Sequence, residues 1–297
     1  FRRVLFRSVR TRIRIRPSYA LAPLALAALA TGLWALVSAR AVTITGPRLA
    51  ELGPFQATLV WETNRPVRGE VAYCTGTEPE RSELEEKGRR RHVVRLVGLL
   101  PETIYRYRLG RRAKDWYEFR TAPTGRTAFR FMICAGDGAF GRERAATLRQ
   151  SIRTELPDFI LLAGRLASRS ERYALEEGRF FGDLPEAARL PLHLLPARDD
   201  LRTVAARARF TAARAGRGRE ADYTFDYGNS RFVVLGPGDA AGPGDRLAWL
   251  SGAVDGDRPE QVFVLLRPAD QPGLASRGPL AAWLAEAVRE RRITLIV

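Results

Sequence analysis

The sequence predicts a small all-β, immunoglobulin-like sandwich followed by an α/β layered domain, both behind an N-terminal transmembrane helix. Three observations predict this. Ala20 to Ala39 carries no charged residue. From Val42 to Ala122, short alternating apolar and polar runs are separated by turn residues. Beyond Pro123 to Thr127 the period changes, and apolar strands alternate with amphipathic helical stretches.

The N-terminal run ALAPLALAALATGLWALVSA is long enough to span a bilayer, since a helix rises about 1.5 Å per residue and the hydrocarbon core is about 30 Å thick. Arg10, Arg12, Arg14 and Arg16 precede it and only Arg40 follows closely. That bias keeps the N-terminus cytoplasmic and sends the remainder to the exported side, periplasmic or extracellular. A cleaved signal peptide is the alternative, with small residues around Arg40 as a cleavage site. Residues 1–8, FRRVLFRS, resemble a translated sequencing adapter, so residues 1–19 are set aside as adapter-like sequence and basic leader. The far end, Arg292 to Val297 (RITLIV), reads as a buried strand cut short, so the chain is expected to be a fragment.

Residues 42–122 supply the sandwich. Its candidate strands are AVTIT, QATLVWET, GEVAYC, HVVRLVGL, IYRYRLG and WYEFRTA. Leu100-Pro101-Glu102-Thr103-Ile104-Tyr105 places a tyrosine just inside a strand after a proline turn, as in a tyrosine corner. Trp61 is expected to fill the core.

Residues 127–297 supply the α/β domain. Strands FRFMICAG, DFILLAG, LPLHLLPA and QVFVLLRP are each followed by a helical or turn-rich stretch, while ADYTFDYG and SRFVVLG follow one another directly. Sites in such sheets lie beyond the carboxyl ends of the strands. The candidate site residues are therefore Asp137, Arg165, Arg198 and Arg267, each at or just after a strand end.

Composition excludes several chemistries. The chain has 49 basic and 33 acidic residues, for a formal charge of +16. Only Lys87 and Lys114 are lysines, and arginine alternates with acidic residues outside the leader, so a nucleic-acid-binding stripe is not indicated. His92 and His193 are the only histidines, which rules out a cluster of imidazole ligands within these residues. Cys74 and Cys134 cannot build a disulfide framework or a cysteine zinc site. No histidine base stands near a suitable serine or cysteine nucleophile. His193 lies in an apolar strand and reads as a core residue, as does Cys134.

A sandwich ending in LxPxTxYxYRLG and FRTAP, followed by FRFMICAGD, resembles the purple-acid-phosphatase-like members of the calcineurin-like metallophosphoesterases. Those proteins carry a fibronectin-type domain before a metallophosphoesterase-type layered sandwich. DFILLAG is similar to the strand of their second motif, and YTFDYGNSRFVVLG with DRLAWL to the stretch between their third and fourth. The chain stops just before their last GHxH motif. The resemblance implies phosphate-ester hydrolysis by two metal ions, such as Fe, Zn or Mn, which activate a bound water and clamp phosphoryl oxygens.

Carried over residue by residue, the resemblance leaves one ligand. Asp137 stands at the first motif. The second reads Gly164-Arg165, with a guanidinium where a bridging carboxylate is expected, and Ser168 stands where purple members have a tyrosine. The third reads Ala197-Arg198-Asp199-Asp200, so Arg198 replaces the ligand asparagine and Asp199 the histidine. Arg267 occupies the fourth-motif histidine position. Arginine has no acceptor lone pair and stays protonated, so it cannot ligate a metal. The expectation is a pseudoenzyme without a metal cofactor, in a binding or scaffolding role, with Asp137 and Asp199 as ion-pair partners of the arginines. Two readings of the cluster remain open: an anion site for phosphate or a similar group, and an internal salt-bridge network standing in for the metals. A reduced mononuclear site would have to use Asp137, Asp199 and Asp200, and an active phosphoesterase with a rearranged site is the enzymatic alternative. Gly136 to Gly141 also matches G-x-G-x-x-G after a strand, a more remote dinucleotide-binding reading.

Overall fold

The computed structural model describes residues 42–296, apart from 77–79, 111–112, 137, 213–217, 220, 239–242, 257–258 and 272–277. The expectation of a transmembrane helix is not met. Among the described residues no helix is long and apolar enough to cross a membrane, and the run 20–39 lies outside them.

Seven strands come first: β1 (Ile44–Leu52), β2 (Gln56–Val67), β3 (Glu70–Cys74), β4 (Arg81–Leu84), β5 (Arg89–Val97), β6 (Ile104–Leu109) and β7 (Tyr117–Arg120). They form two antiparallel sheets, β1-β2-β5 and β4-β3-β6-β7. Period-two alternation explains the pairing of faces. In β6, Tyr105, Tyr107 and Leu109 are buried while Ile104 and Arg106 face out. With Leu49, Leu59, Trp61, Tyr73, Leu96 and Phe119 they make the core between the sheets. The Tyr105 hydroxyl accepts the Leu100 amide at 2.9 Å, pinning the β5–β6 turn to the strand it leads into.

Two features of this part escape a reading by alternation. β4 is short and polar (RSEL), and its pairing with β3 alone makes it a strand. β1 runs on through Gly46-Pro47, which by composition signals a turn. Gly46 holds a positive φ of 58°, and the register with β2 shifts between Thr45 and Arg48, the signature of a bulge. A side chain at Gly46 would also press on Phe181 of a helix described below. The bulge re-aims Arg48.

The second part begins with β8 (Phe131–Gly136), α1 (Arg142–Glu155), β9 (Phe159–Gly164), α2 (Tyr173–Gly182) and β10 (Leu192–Pro196). There follow α3 (Val204–Ala212), β11 (Gly218–Arg219), β12 (Asp222–Tyr227) and β13 (Ser230–Leu235). α4 (Pro243–Asp255), β14 (Gln261–Leu266), α5 (Pro279–Arg289) and β15 (Thr294–Ile296) complete it. β10-β9-β8 is a parallel sheet. The sheet β11-β12-β13-β14-β15 is mixed: the hairpin β12–β13 is antiparallel, and β13, β14 and β15 run parallel through helical crossovers. Phe131 and Phe159 from the first sheet meet Phe225 and Phe232 from the second in one aromatic core.

Residues from Ile44 onward form one compact unit. Glu177 of α2, 2% exposed, accepts from Arg48 of β1 and Arg91 of β5 and from Arg209 of α3. Tyr107 adds a hydrogen bond from its hydroxyl to the Ala188 carbonyl at 2.6 Å. These bonds fix the sandwich against the α/β layers.

Candidate functional site

The parallel register sets the strand ends side by side, because Gly136, Gly164 and Pro196 pair across β8, β9 and β10. Glycine is required at 164: a Cβ there would lie 2.8 Å from the Gly136 carbonyl oxygen. The loop after β8 is tied to the loop after β9 by a hydrogen bond from the Phe140 amide to the Arg165 carbonyl, 2.8 Å. Asp137 lies outside the described residues.

Two of the three expected arginines, Arg165 and Arg267, face a carboxylate with their guanidiniums, and Arg198 meets one through its backbone amide. Arg165 Nη1 is 3.5 Å from Asp199 Oδ2, and Asp199 also faces Arg202. Arg198 and Arg267 converge on Asp270, which the sequence reading did not single out. The Arg198 amide donates to Asp270 Oδ1 at 3.3 Å, its guanidinium donates to the Asp270 carbonyl at 3.2 Å, and Arg267 Nη1 lies 3.4 Å from Oδ2. Asp270 is 8% exposed. Its only sequence signal is its place three residues after Arg267 in a Pro-initiated turn, Pro268–Asp270, which curls the carboxylate back toward the strand end.

Asp199 and Asp200 point to different tasks. Asp200 is buried, and its two oxygens accept the amides of Leu166 and Ala167 at 2.9 and 3.0 Å. It braces the loop that follows β9. Burial pushes its carboxyl up to about 6, against the pull of those amides and of Arg165. Ser168 is likewise committed to α2: its amide and hydroxyl both donate to Glu176, at 2.6 and 2.8 Å.

Two further arginines stand at strand ends without having been anticipated. Arg144 of α1 folds back over the β8 end, donating to the Gly138 carbonyl at 2.9 Å and lying against Gly136, where any Cβ would collide with it. The same guanidinium fills the start of the G-x-G-x-x-G loop, where a dinucleotide's phosphates would approach. Arg246 of α4 makes a forked pair with Asp222 at 2.8 and 2.7 Å and reaches Gln271 and the Gly236 carbonyl.

His193 is buried and stacks on Phe225, ring centroids 3.5 Å apart. His92 is buried in the sandwich between Glu85 and Thr63, with Trp61 stacked on its ring. Neither reaches the strand ends. Burial raises the Cys134 thiol, although Arg144 pulls the other way. Among the described residues no group of three or more His, Cys, Asp or Glu side chains is placed to hold a metal ion.

No family model matches the sequence, and no curated protein does. Among solved structures the chain is similar to a purple acid phosphatase, PPD1, from yellow lupin (Lupinus luteus) seeds. The TM-score is 0.60 at 15% identity, over 76% of this chain and 51% of that one. It is also similar to PhoD, with a TM-score of 0.48 at 12% identity, over 74% of this chain and 61% of that one. The chain thus spans about half the length of the lupin phosphatase. At such identity the likeness speaks for the fold alone. The chain has a purple acid phosphatase-like phosphoesterase fold.

Proposed function

We propose that this chain is a non-hydrolytic relative of the phosphoesterases whose fold it shares, with an arginine–carboxylate network at the strand ends where they hold two metal ions. The observation that carries the reading is Asp270, whose carboxylate pairs with the Arg267 guanidinium and accepts the Arg198 amide, while its carbonyl accepts the Arg198 guanidinium. Metal ions need acceptor oxygens and imidazoles, and three of the four matched positions offer only guanidinium donors. The carboxylates that remain in the third motif are spoken for, Asp199 by Arg165 and Asp200 by two backbone amides. The residues present do not fit a dinuclear centre. The positive charge of the ions is replaced by guanidinium groups, and the neighbouring loops are held by the salt bridges those groups make. The role left to such a protein is binding.

Metal analysis of the chain purified without chelator tests this. Iron, zinc and manganese are expected at trace level. One or two equivalents per chain, with hydrolysis of a phosphate monoester or diester, would overturn the reading in favour of an active enzyme with a rearranged site.

A further inference from the structure

Between the two sheets of the α/β domain the core changes character along the strands. Phe131, Ile133 and Ala135 share one face of β8, Phe159, Leu161 and Ala163 one face of β9, and His193 and Leu195 one face of β10. At the lower level, Phe131 and Phe159 are packed ring to ring with Phe232 of the facing sheet. At the strand ends the same row reads Ala135, Ala163, Leu195, in register with one another. Small side chains there leave room unfilled. The result is a slot of about 190 Å³ lined by Ile133, Ala135, Ala163, Leu195, Leu265 and Arg267, with neighbouring backbone.

Two observations mark this slot as more than a packing gap. Ile133 is 40% exposed on the face that elsewhere forms the aromatic core, so apolar surface stands open to entry. Arg267 lines the same slot, and its guanidinium is incompletely used. Asp270 is its ion-pair partner at 3.4 Å, yet Arg267 Nη1 is buried without a hydrogen bond, as is Asp270 Oδ2. A buried donor without an acceptor is costly, and a ligand oxygen would relieve it. An apolar cavity of about 150 Å³ admits a benzene-sized molecule. An apolar wall with one cation at its edge is complementary to a small anion that has an apolar body.

We infer that the slot binds a small amphiphilic carboxylate, an aromatic or short aliphatic acid, with its carboxylate on Arg267 and its apolar body between Ile133, Ala135 and Leu265. This deepens the binding role proposed above and rests on it, because a guanidinium, and not a metal ion, must supply the positive charge at the edge of the slot. Inorganic phosphate has the charge without the apolar body and fits the slot poorly.

The experiment is a ligand series on the full chain, read by melting temperature and titration calorimetry. The probes are benzoate, hexanoate, acetate, inorganic phosphate and neutral benzyl alcohol. Benzoate or hexanoate is expected to raise the melting temperature saturably, with acetate, phosphate and benzyl alcohol much weaker. Arg267→Gln is expected to weaken the best ligand about tenfold or more, as loss of a charge-assisted pair does. Ala135→Leu, at an exposed position, is expected to fill the slot and abolish binding while circular dichroism and melting without ligand stay unchanged. Phosphate binding as well as benzoate, or undiminished binding in Ala135→Leu, would overturn the slot and indicate an open anion patch. No response to any probe by a metal-free chain would also overturn it, while leaving the arginine–carboxylate reading intact. Stoichiometric metal in the same preparation would mark the failure of that earlier reading instead.

Discussion

Arg48 of β1 donates to Glu177 of α2 at 2.7 Å, and both side chains are almost wholly buried, 3% and 2% exposed. The pair joins the sandwich to the α/β layers, and it exists because the bulge at Gly46 turns the strand at that point. Burial alone would raise the Glu177 carboxyl, but Arg48, Arg91 and Arg209 overcome it and hold the group below the usual carboxylate range. The Arg48 guanidinium is lowered by burial and sits 4.3 Å over the Phe181 ring.

Removing the Glu177 charge should therefore expose its partners to the full cost of burial. Glu177→Gln is expected to destabilise the chain by about 3–5 kcal/mol, the range for breaking one side of a buried ion pair. Because the folded carboxyl is depressed, the stability it contributes is present above the unfolded value, about 4.3, and is lost as pH falls through the folded one. Chemical unfolding of both proteins at pH 7 and at pH 3 checks it. The gap between them should shrink at the lower pH.

Asp200 runs the opposite way. Its folded value, about 6, lies above the unfolded one, so the folded state holds the extra proton between them. Its contribution to stability is greatest at low pH and falls as pH rises from about 4 to about 6. A carboxyl-detected NMR titration should place its midpoint near 6, and a midpoint near 4 would show that Leu166 and Ala167 dominate its surroundings.

Asp270→Ala leaves Arg198 and Arg267 without their shared carboxylate. A loss of about 1–3 kcal/mol is expected, the usual cost of leaving buried donors unpaired. Anion affinity at the strand ends should rise in the same variant, since the Arg267 guanidinium loses its carboxylate, whereas that of Arg198 keeps the backbone carbonyl at 270. Thermal melts with and without millimolar benzoate separate the two effects, and unchanged anion affinity would mean that Arg267 turns elsewhere.

Tyr105→Phe removes the acceptor of the Leu100 amide, and Tyr107→Phe the donor to the Ala188 carbonyl. Each is expected to cost about 1 kcal/mol. The first acts within the sandwich and the second between sandwich and α/β layers. Limited proteolysis at the linker 123–127 should quicken only in Tyr107→Phe.

Much of the architecture was legible from local pattern. Period-two alternation in IYRYRL and HVVRLV and the unbroken apolar runs FILL and VVL announce their strands because burial of side chains on fixed faces is a property of neighbouring residues. That Arg165, Arg198 and Arg267 cannot themselves ligate a metal follows from residue type: an arginine has no lone pair to offer wherever the fold puts it. The N-terminal apolar run set an expectation of a membrane span that no described helix meets.

What only the tertiary structure decided are the partners. Asp199 and Asp200 are adjacent in sequence, yet one faces Arg165 and the other two loop amides, because successive residues of a tight turn project in different directions. Asp270 is 72 residues from the Arg198 it binds, and Glu177 is 129 from Arg48. The slot beside Arg267 depends on the register that aligns Ala135, Ala163 and Leu195 across three strands. Charge and donor type are written into each residue, whereas pairing and packing depend on which distant strand ends the folded sheets bring together.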